Sequence, residues 1–150
     1  MTQVPRSLWQ RLRRAIEAGL AHQAEALYAV YSDIDDGYPE AQLFAVLRGM
    51  VAGLTADLWP QGLDAEALDR VAKEARLATQ GWCNVDETMF RGVLEMVLGD
   101  SSVSAYIPGN LGALAMIVLV AFLLGQTADP AEELDFYGEL ATGSFEASSD

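Results

Sequence analysis

The sequence predicts an all-α fold, with about six helices in a single compact bundle and a central apolar helix near 109–125 surrounded by amphipathic helices. Three observations carry this expectation. Apolar residues recur at helical spacing along most of the chain. No stretch alternates apolar and polar residues for long enough to argue a strand. The residues between the periodic stretches are Gly, Pro, Asp and Ser, in the short combinations that start and stop helices.

The first helix is expected from Ser7, where Ser7-Leu8-Trp9-Gln10 has the spacing of a capping box. Its apolar stripe is Leu8, Leu12, Ile16, Leu20, Gln23/Ala24, Leu27 and Tyr31, which makes one helix running to a turn at Asp33-Ile34-Asp35-Asp36-Gly37-Tyr38-Pro39. The second helix, about 40–58, places Leu43, Leu47, Met50, Val51, Leu54 and Leu58 on one face and ends at Pro60 and Gly62. The third starts at Asp64 as N-cap, runs to about Gln80 and turns Leu68, Val71, Ala72, Ala75 and Ala78 inward. The fourth is expected after Asn84-Val85-Asp86-Glu87, with Asn84 as cap and a buried stripe of Val85, Met89, Val93, Met96 and Val97. The sixth begins at Asp129-Pro130-Ala131-Glu132 (an acidic cap, then Pro at the first helical position) and faces Leu134, Tyr137, Leu140 and Ala141 inward. Residues 1–142 form the expected helical domain and 143–150 a frayed acidic tail.

The fifth helix decides between two environments. No charged residue lies between Ser101 and Ala128, and Leu111–Gly125 is apolar throughout. A helix apolar on every side is buried in a core or in a bilayer. A span needs roughly 20 apolar residues, whereas this run has 15 and is flanked by Asp100 and Asp129 with no Lys or Arg anchor. The core reading is favoured, and a span over 107–125 is the alternative.

The net charge of −13 is unevenly placed. Arg6, Arg11, Arg13 and Arg14 lie in the first fourteen residues with no acid among them, while residues 92–150 carry nine acids and no base. An acidic body repels nucleic-acid phosphate and anionic membrane and steers basic partners toward it. Asp33, Asp35, Asp36, Glu132, Glu133, Asp135 and Glu139 are the acids expected to meet such a partner. The basic N-terminal segment is read as offsetting the acidic body from within the molecule.

Little points to chemistry. The Asp33–Gly37 cluster misses the calcium-loop spacing in either register, so it reads as a solvated turn. His22 is the single histidine and Cys83 the single cysteine, too few donors for a His/Cys zinc site. His22 is expected on a helix beside Glu25, and Cys83 as a small packed residue near a helix start. One cysteine excludes an intramolecular disulfide and favours a reducing compartment. With no secretory signal in Met1–Glu25, the expected location is the cytoplasm. Scarce Lys beside plentiful Arg, Ala and Gly is the bias of GC-rich coding and hints at a bacterial source. Gly99-Asp100-Ser101-Ser102 resembles the Gly-Asp-Ser-Leu attachment site of acyl carrier proteins over those few residues; Ser104–Pro108 then departs from that family's acidic helix.

The expected function is therefore a non-catalytic protein that binds the basic surface of another protein, of inhibitor, immunity, chaperone or nucleic-acid-mimic type. No cofactor, metal or direct nucleic-acid contact is expected, and homo-oligomerisation is left open. The alternative is a small-ligand binder, with Met50, Met89, Met96, Met116, Trp59, Trp82 and Phe122 lining a pocket between helices.

Overall fold

The computed structural model describes residues 4–37, 40–83, 85–98 and 109–142, with the side chains of 35–37, 40–41 and 109–112 excepted. These residues form seven helices and no strand: α1 (Arg6–Leu20), α2 (Ala24–Gly37), α3 (Glu40–Leu58), α4 (Ala65–Thr79), α5 (Glu87–Leu98), α6 (Gly109–Gly125) and α7 (Pro130–Thr142).

The all-α bundle is as expected, and α6 is its axis. From Ala115 to Val120 every residue is fully buried, and Leu123 and Leu124 are buried with them. Helices α1, α3, α4, α5 and α7 all pack against α6. Their apolar stripes cover it from Ala115 to Val120, while Leu114 and Phe122 are half-buried. At seventeen residues α6 is about 25 Å long, short of the roughly 30 Å hydrocarbon layer. Among the described residues no helix is long and apolar enough to cross a membrane.

The additional helix arises because the expected first helix breaks in two. His22 adopts φ 58°, in the left-handed region. The His22 N–H donates to the Gly19 carbonyl at 3.1 Å and the Gln23 N–H to the Ala18 carbonyl at 2.9 Å. This is a Schellman ending, with His22 where glycine is usual. The chain then restarts, the Leu27 N–H donating to the Gln23 carbonyl at 3.0 Å, and α2 folds back on α1.

Other boundaries also differ from expectation. Pro5 precedes α1 and no side chain caps it; the Trp9 N–H instead reaches the Pro5 carbonyl at 3.2 Å. Asp33–Gly37 is the last part of α2 and not a turn, while Tyr38 and Pro39 lie outside the described residues. Helix α5 starts at Glu87, where the Asp86 carboxylate accepts from the Met89 N–H at 2.9 Å; Asn84, the expected cap, lies outside the described residues. The expected Asp64 cap is present, accepting from the Ala67 N–H at 2.8 Å.

Buried faces follow the predicted stripes closely in α3 and α7 and less so in α4 and α5. Helix α4 buries Ala67 and Thr79 along with Val71, Ala72 and Ala75, leaving Ala78 exposed. Helix α5 buries Phe90, Gly92, Val93 and Leu94, while Met89, Met96 and Val97 are half-buried. Helix α5 packs against α3, α4 and α6 together, so its buried arc is broader than one stripe and is rotated from it. The buried Thr55 and Thr79 hydroxyls donate back to the Val51 and Ala75 carbonyls at 2.8 and 2.9 Å, which satisfies them within their own helices.

Candidate functional site

Helix α7 begins as its sequence dictates, with Asp129 accepting from the Glu132 N–H at 3.2 Å. Leu134, Tyr137, Gly138 and Ala141 are buried. That stripe leaves Glu132, Asp135, Phe136 and Glu139 outward, at the i, i+3, i+4, i+7 spacing of one helix face. Phe136 is 45% exposed and meets Tyr137 edge-on, with ring centroids 5.3 Å apart. An aromatic ring open to solvent among three carboxylates is the feature that marks this face.

Two glycines let α7 approach its neighbours. A Cβ at Gly138 would come within 2.6 Å of Cε2 in the Trp9 indole, so glycine there allows α1 to lie against α7. A Cβ at Gly53 would come within 2.9 Å of Tyr137 Cε1, so the phenol ring rests on α3. The N-terminal strap adds to this packing, the Val4 N–H donating to the Ala141 carbonyl at 2.8 Å.

The electrostatics differ along the two edges of α7. On the α1 edge, Arg13 pairs with Asp135 and lies 3.8 Å from Glu17. Arg6 and Arg13 face Asp135 and Glu139 across a groove of about 350 Å³, with Trp9 among its lining residues. On the α3 side, burial pushes the Tyr137 hydroxyl up to about 12, helped by the negative charges of Asp57 and Glu133. Asp57 on α3 and Glu133 on α7 thus both act electrostatically on the phenol.

The structure brings the expected site residues together only in part. Glu132, Asp135 and Glu139 share the exposed face, and Glu133 is half-buried beside it. Arg6 and Arg13 lie against that face, while Arg11 and Arg14 are exposed on α1. Asp33 is exposed near the end of α2, which packs mainly on α1; the side chains of Asp35 and Asp36 lie outside the described residues. His22 is not on a helix beside Glu25. It sits at the α1–α2 elbow, its ring stacked on Trp82 with centroids 5.0 Å apart and planes 10° apart. The Cys83 thiol is buried, and its backbone N–H donates to the Thr79 carbonyl at 2.9 Å. Among the described residues, no three His, Cys, Asp or Glu side chains converge as a metal site. The Gly99–Pro108 stretch lies outside the described residues.

The residues read as possible pocket lining are dispersed. Met50 and Met116 fill the core, Trp59 lines a groove with Leu63 and Leu98, and Trp82 and Phe122 share a small cavity. Phe136 is the residue that sequence reading missed. The signal was its position off the Leu134–Tyr137–Ala141 stripe, four residues after Glu132.

Compared with known proteins, the chain matches no family model, no curated protein and no solved structure.

Proposed function

We propose that this chain is a non-catalytic protein-binding module that docks the basic surface of another protein on the exposed face of α7. The carrying observation is the Glu132–Asp135–Phe136–Glu139 face, where exposed acids share one side of α7 with a solvent-exposed aromatic ring. Carboxylates steer a basic partner and fix its orientation, which speeds association more than it adds affinity. The ring supplies the apolar anchor that charge alone lacks, since aromatic residues carry a large share of binding energy at interfaces. The Arg13–Asp135 pair holds one edge of the face in register against α1. Glu133 on α7 and Asp57 on α3 add two further acids to the charge of the body.

The test compares three immobilised proteins against a lysate of the native host: the wild type, a Glu132→Gln/Phe136→Ser/Glu139→Gln variant, and a Glu66→Gln/Glu74→Gln variant on the exposed side of α4. A basic protein retained by the wild type and the α4 variant, lost on the α7 variant and released as salt rises, supports the reading. Retention by all three, or retention indifferent to salt, refutes it.

A further inference from the structure

We infer that a second copy of this chain is an occupant of the α7 face, presenting to it the outer side of its own α4; this rests on the reading of α7 as a docking face. Among the described residues, the two most exposed large apolar side chains are Leu77 at 49% and Phe136 at 45%. They stand in opposite charge. Phe136 shares its side of α7 with Glu132, Asp135 and Glu139, and Leu77 shares its side of α4 with Arg70, Lys73 and Arg76, all exposed.

The two faces match in length as well. Arg70, Lys73 and Leu77 follow the i, i+3, i+7 spacing of one helix face, as Glu132, Asp135 and Glu139 do. Each set covers about 10 Å of helix. Each therefore offers one apolar anchor and a short row of charge, and the rows have opposite sign. The other basic segment, Arg6–Arg14, has no exposed large apolar residue among its described neighbours on α1.

The charges on both faces are available. Among the described residues, Arg70, Lys73 and Arg76 form no ion pair. Of the acids on α4, Asp69 is taken by Arg91, and Glu66 lies one turn before Arg70, at the far end from Leu77. Glu74, three residues before Leu77, is the acid that stands beside the anchor. On α7, Arg13 holds Asp135, which leaves Glu132 and Glu139 to meet incoming bases.

These complements cannot meet within one molecule. Helix α4 packs on α5 and α6, helix α7 on α1 and α6, and both charged faces look away from that packing. Between two molecules they form a heterologous contact, α4 of one copy against α7 of the next. The net charge of −13 on each copy opposes approach at long range. At about 0.15 M salt the screening length is about 8 Å, so the bodies are screened while ion pairs in contact persist. One helix face buries less than the roughly 1,200 Å² of a stable complex, so the association is weak and reversible.

The experiment is sedimentation equilibrium of the full chain at about 0.15 M NaCl, up to about 1 mM protein, the range in which a weak contact shows. The average mass of the wild type should rise above 16.2 kDa as concentration increases. Arg70→Glu/Lys73→Glu and Glu132→Lys/Glu139→Lys should each weaken association at least about tenfold, because like charges then face each other. Leu77→Ser should weaken it severalfold. All these positions are exposed, and circular dichroism checks that each variant is folded. An equimolar mixture of the two charge-reversed variants should associate again, since the intact α4 of one meets the intact α7 of the other. A wild type that stays monomeric, association unchanged by Arg70→Glu/Lys73→Glu, or a mixture no heavier than its parts overturns the inference, while the docking of a different basic protein on α7 keeps its own test. Association lost on reversing α4 but kept on reversing α7 overturns the inference and also counts against α7 as a docking face.

Discussion

The indole of Trp9 on α1 fills the space that a side chain at Gly138 on α7 would occupy. A Cβ there would fall 2.6 Å from Cε2 and 2.8 Å from Cζ2 of a ring that is only 6% exposed. Replacing a helical glycine by alanine ordinarily adds about 1 kcal/mol of stability. Here the buried ring has to move, and overpacking costs about 1–3 kcal/mol. Gly138→Ala is therefore expected to gain nothing and to lose up to about 2 kcal/mol in urea unfolding. Trp9→Leu is destabilising alone, but with the ring gone Gly138→Ala becomes neutral or stabilising. Additive losses in the double variant would contradict the contact.

Tyr137 gives a pH dependence with a defined sign. Its hydroxyl ionises at about 12 in the folded protein, because burial and the charges of Asp57 and Glu133 disfavour phenolate. In the unfolded chain it ionises near 10. Between these values the unfolded state has lost the proton and the folded state keeps it, so unfolding releases a proton and stability falls as pH rises. The stabilisation is complete below pH 10 and is lost as pH climbs toward 12, by about 2–3 kcal/mol in all. Tyr137→Phe should flatten this component of the decline. Parallel curves for wild type and variant in urea unfolding at pH 9 and pH 11.5 would rule it out.

The parts of the fold legible in the sequence are those set by local chemistry or by a simple period. Asp64 and Asp129 read as caps because a short acceptor followed by helix formers has little else to do. Helix α6 read as core because fifteen uncharged apolar residues are too few to span a bilayer and too many for a surface. The break at His22 was hidden because its left-handed residue is not glycine, and a stripe from Leu8 to Tyr31 continues across it in projection. The α5 face was misjudged because three neighbouring helices bury it, and a one-sided stripe does not describe that environment. At the candidate site, charge segregation was visible in composition. The register that sets Arg13 against Asp135 and leaves Phe136 open depends on how α1 crosses α7, which no local pattern encodes.

Arg91 is a second feature that only the packed structure reveals. Its Nε donates to Glu95 on its own helix at 2.5 Å, and its Nη1 donates to Asp69 and, at 3.1 Å, to the Ala65 carbonyl on α4. One guanidinium thus joins α4 to α5. Asp69 is largely solvated, so this edge of the clasp is weak. Arg91→Gln is expected to lower stability by about 1 kcal/mol at low ionic strength. About 1 M NaCl shortens the screening length to about 3 Å and should remove part of that loss. An equal loss at both salt concentrations would assign the effect to packing of the Arg91 stem.

The α1–α2 elbow yields the sharpest test of the fold, because a continuous helix and a broken one demand opposite residues at position 22. If Leu8–Tyr31 were a single helix, His22→Ala would be more stable than His22→Gly by about 1 kcal/mol, the propensity difference at an interior position. In the observed structure residue 22 has φ 58°. A side-chain-bearing residue there costs about 1–2 kcal/mol that glycine avoids. His22→Gly should therefore be more stable than His22→Ala by about 1 kcal/mol, and His22→Val should be the worst, its branched Cβ crowding the left-handed backbone. Wild type should lie near the Gly variant, since the ring that strains the turn also stacks on Trp82, a contact worth about 0.5–1.5 kcal/mol. Removing that contact with Trp82→Leu should turn His22→Gly into a net stabilising change of about 1 kcal/mol. Urea unfolding of the three single variants, with His22→Gly repeated in the Trp82→Leu background, separates the two architectures. The order Ala above Gly would mean that α1 and α2 are one helix, and the order Gly above Ala that the chain turns at His22.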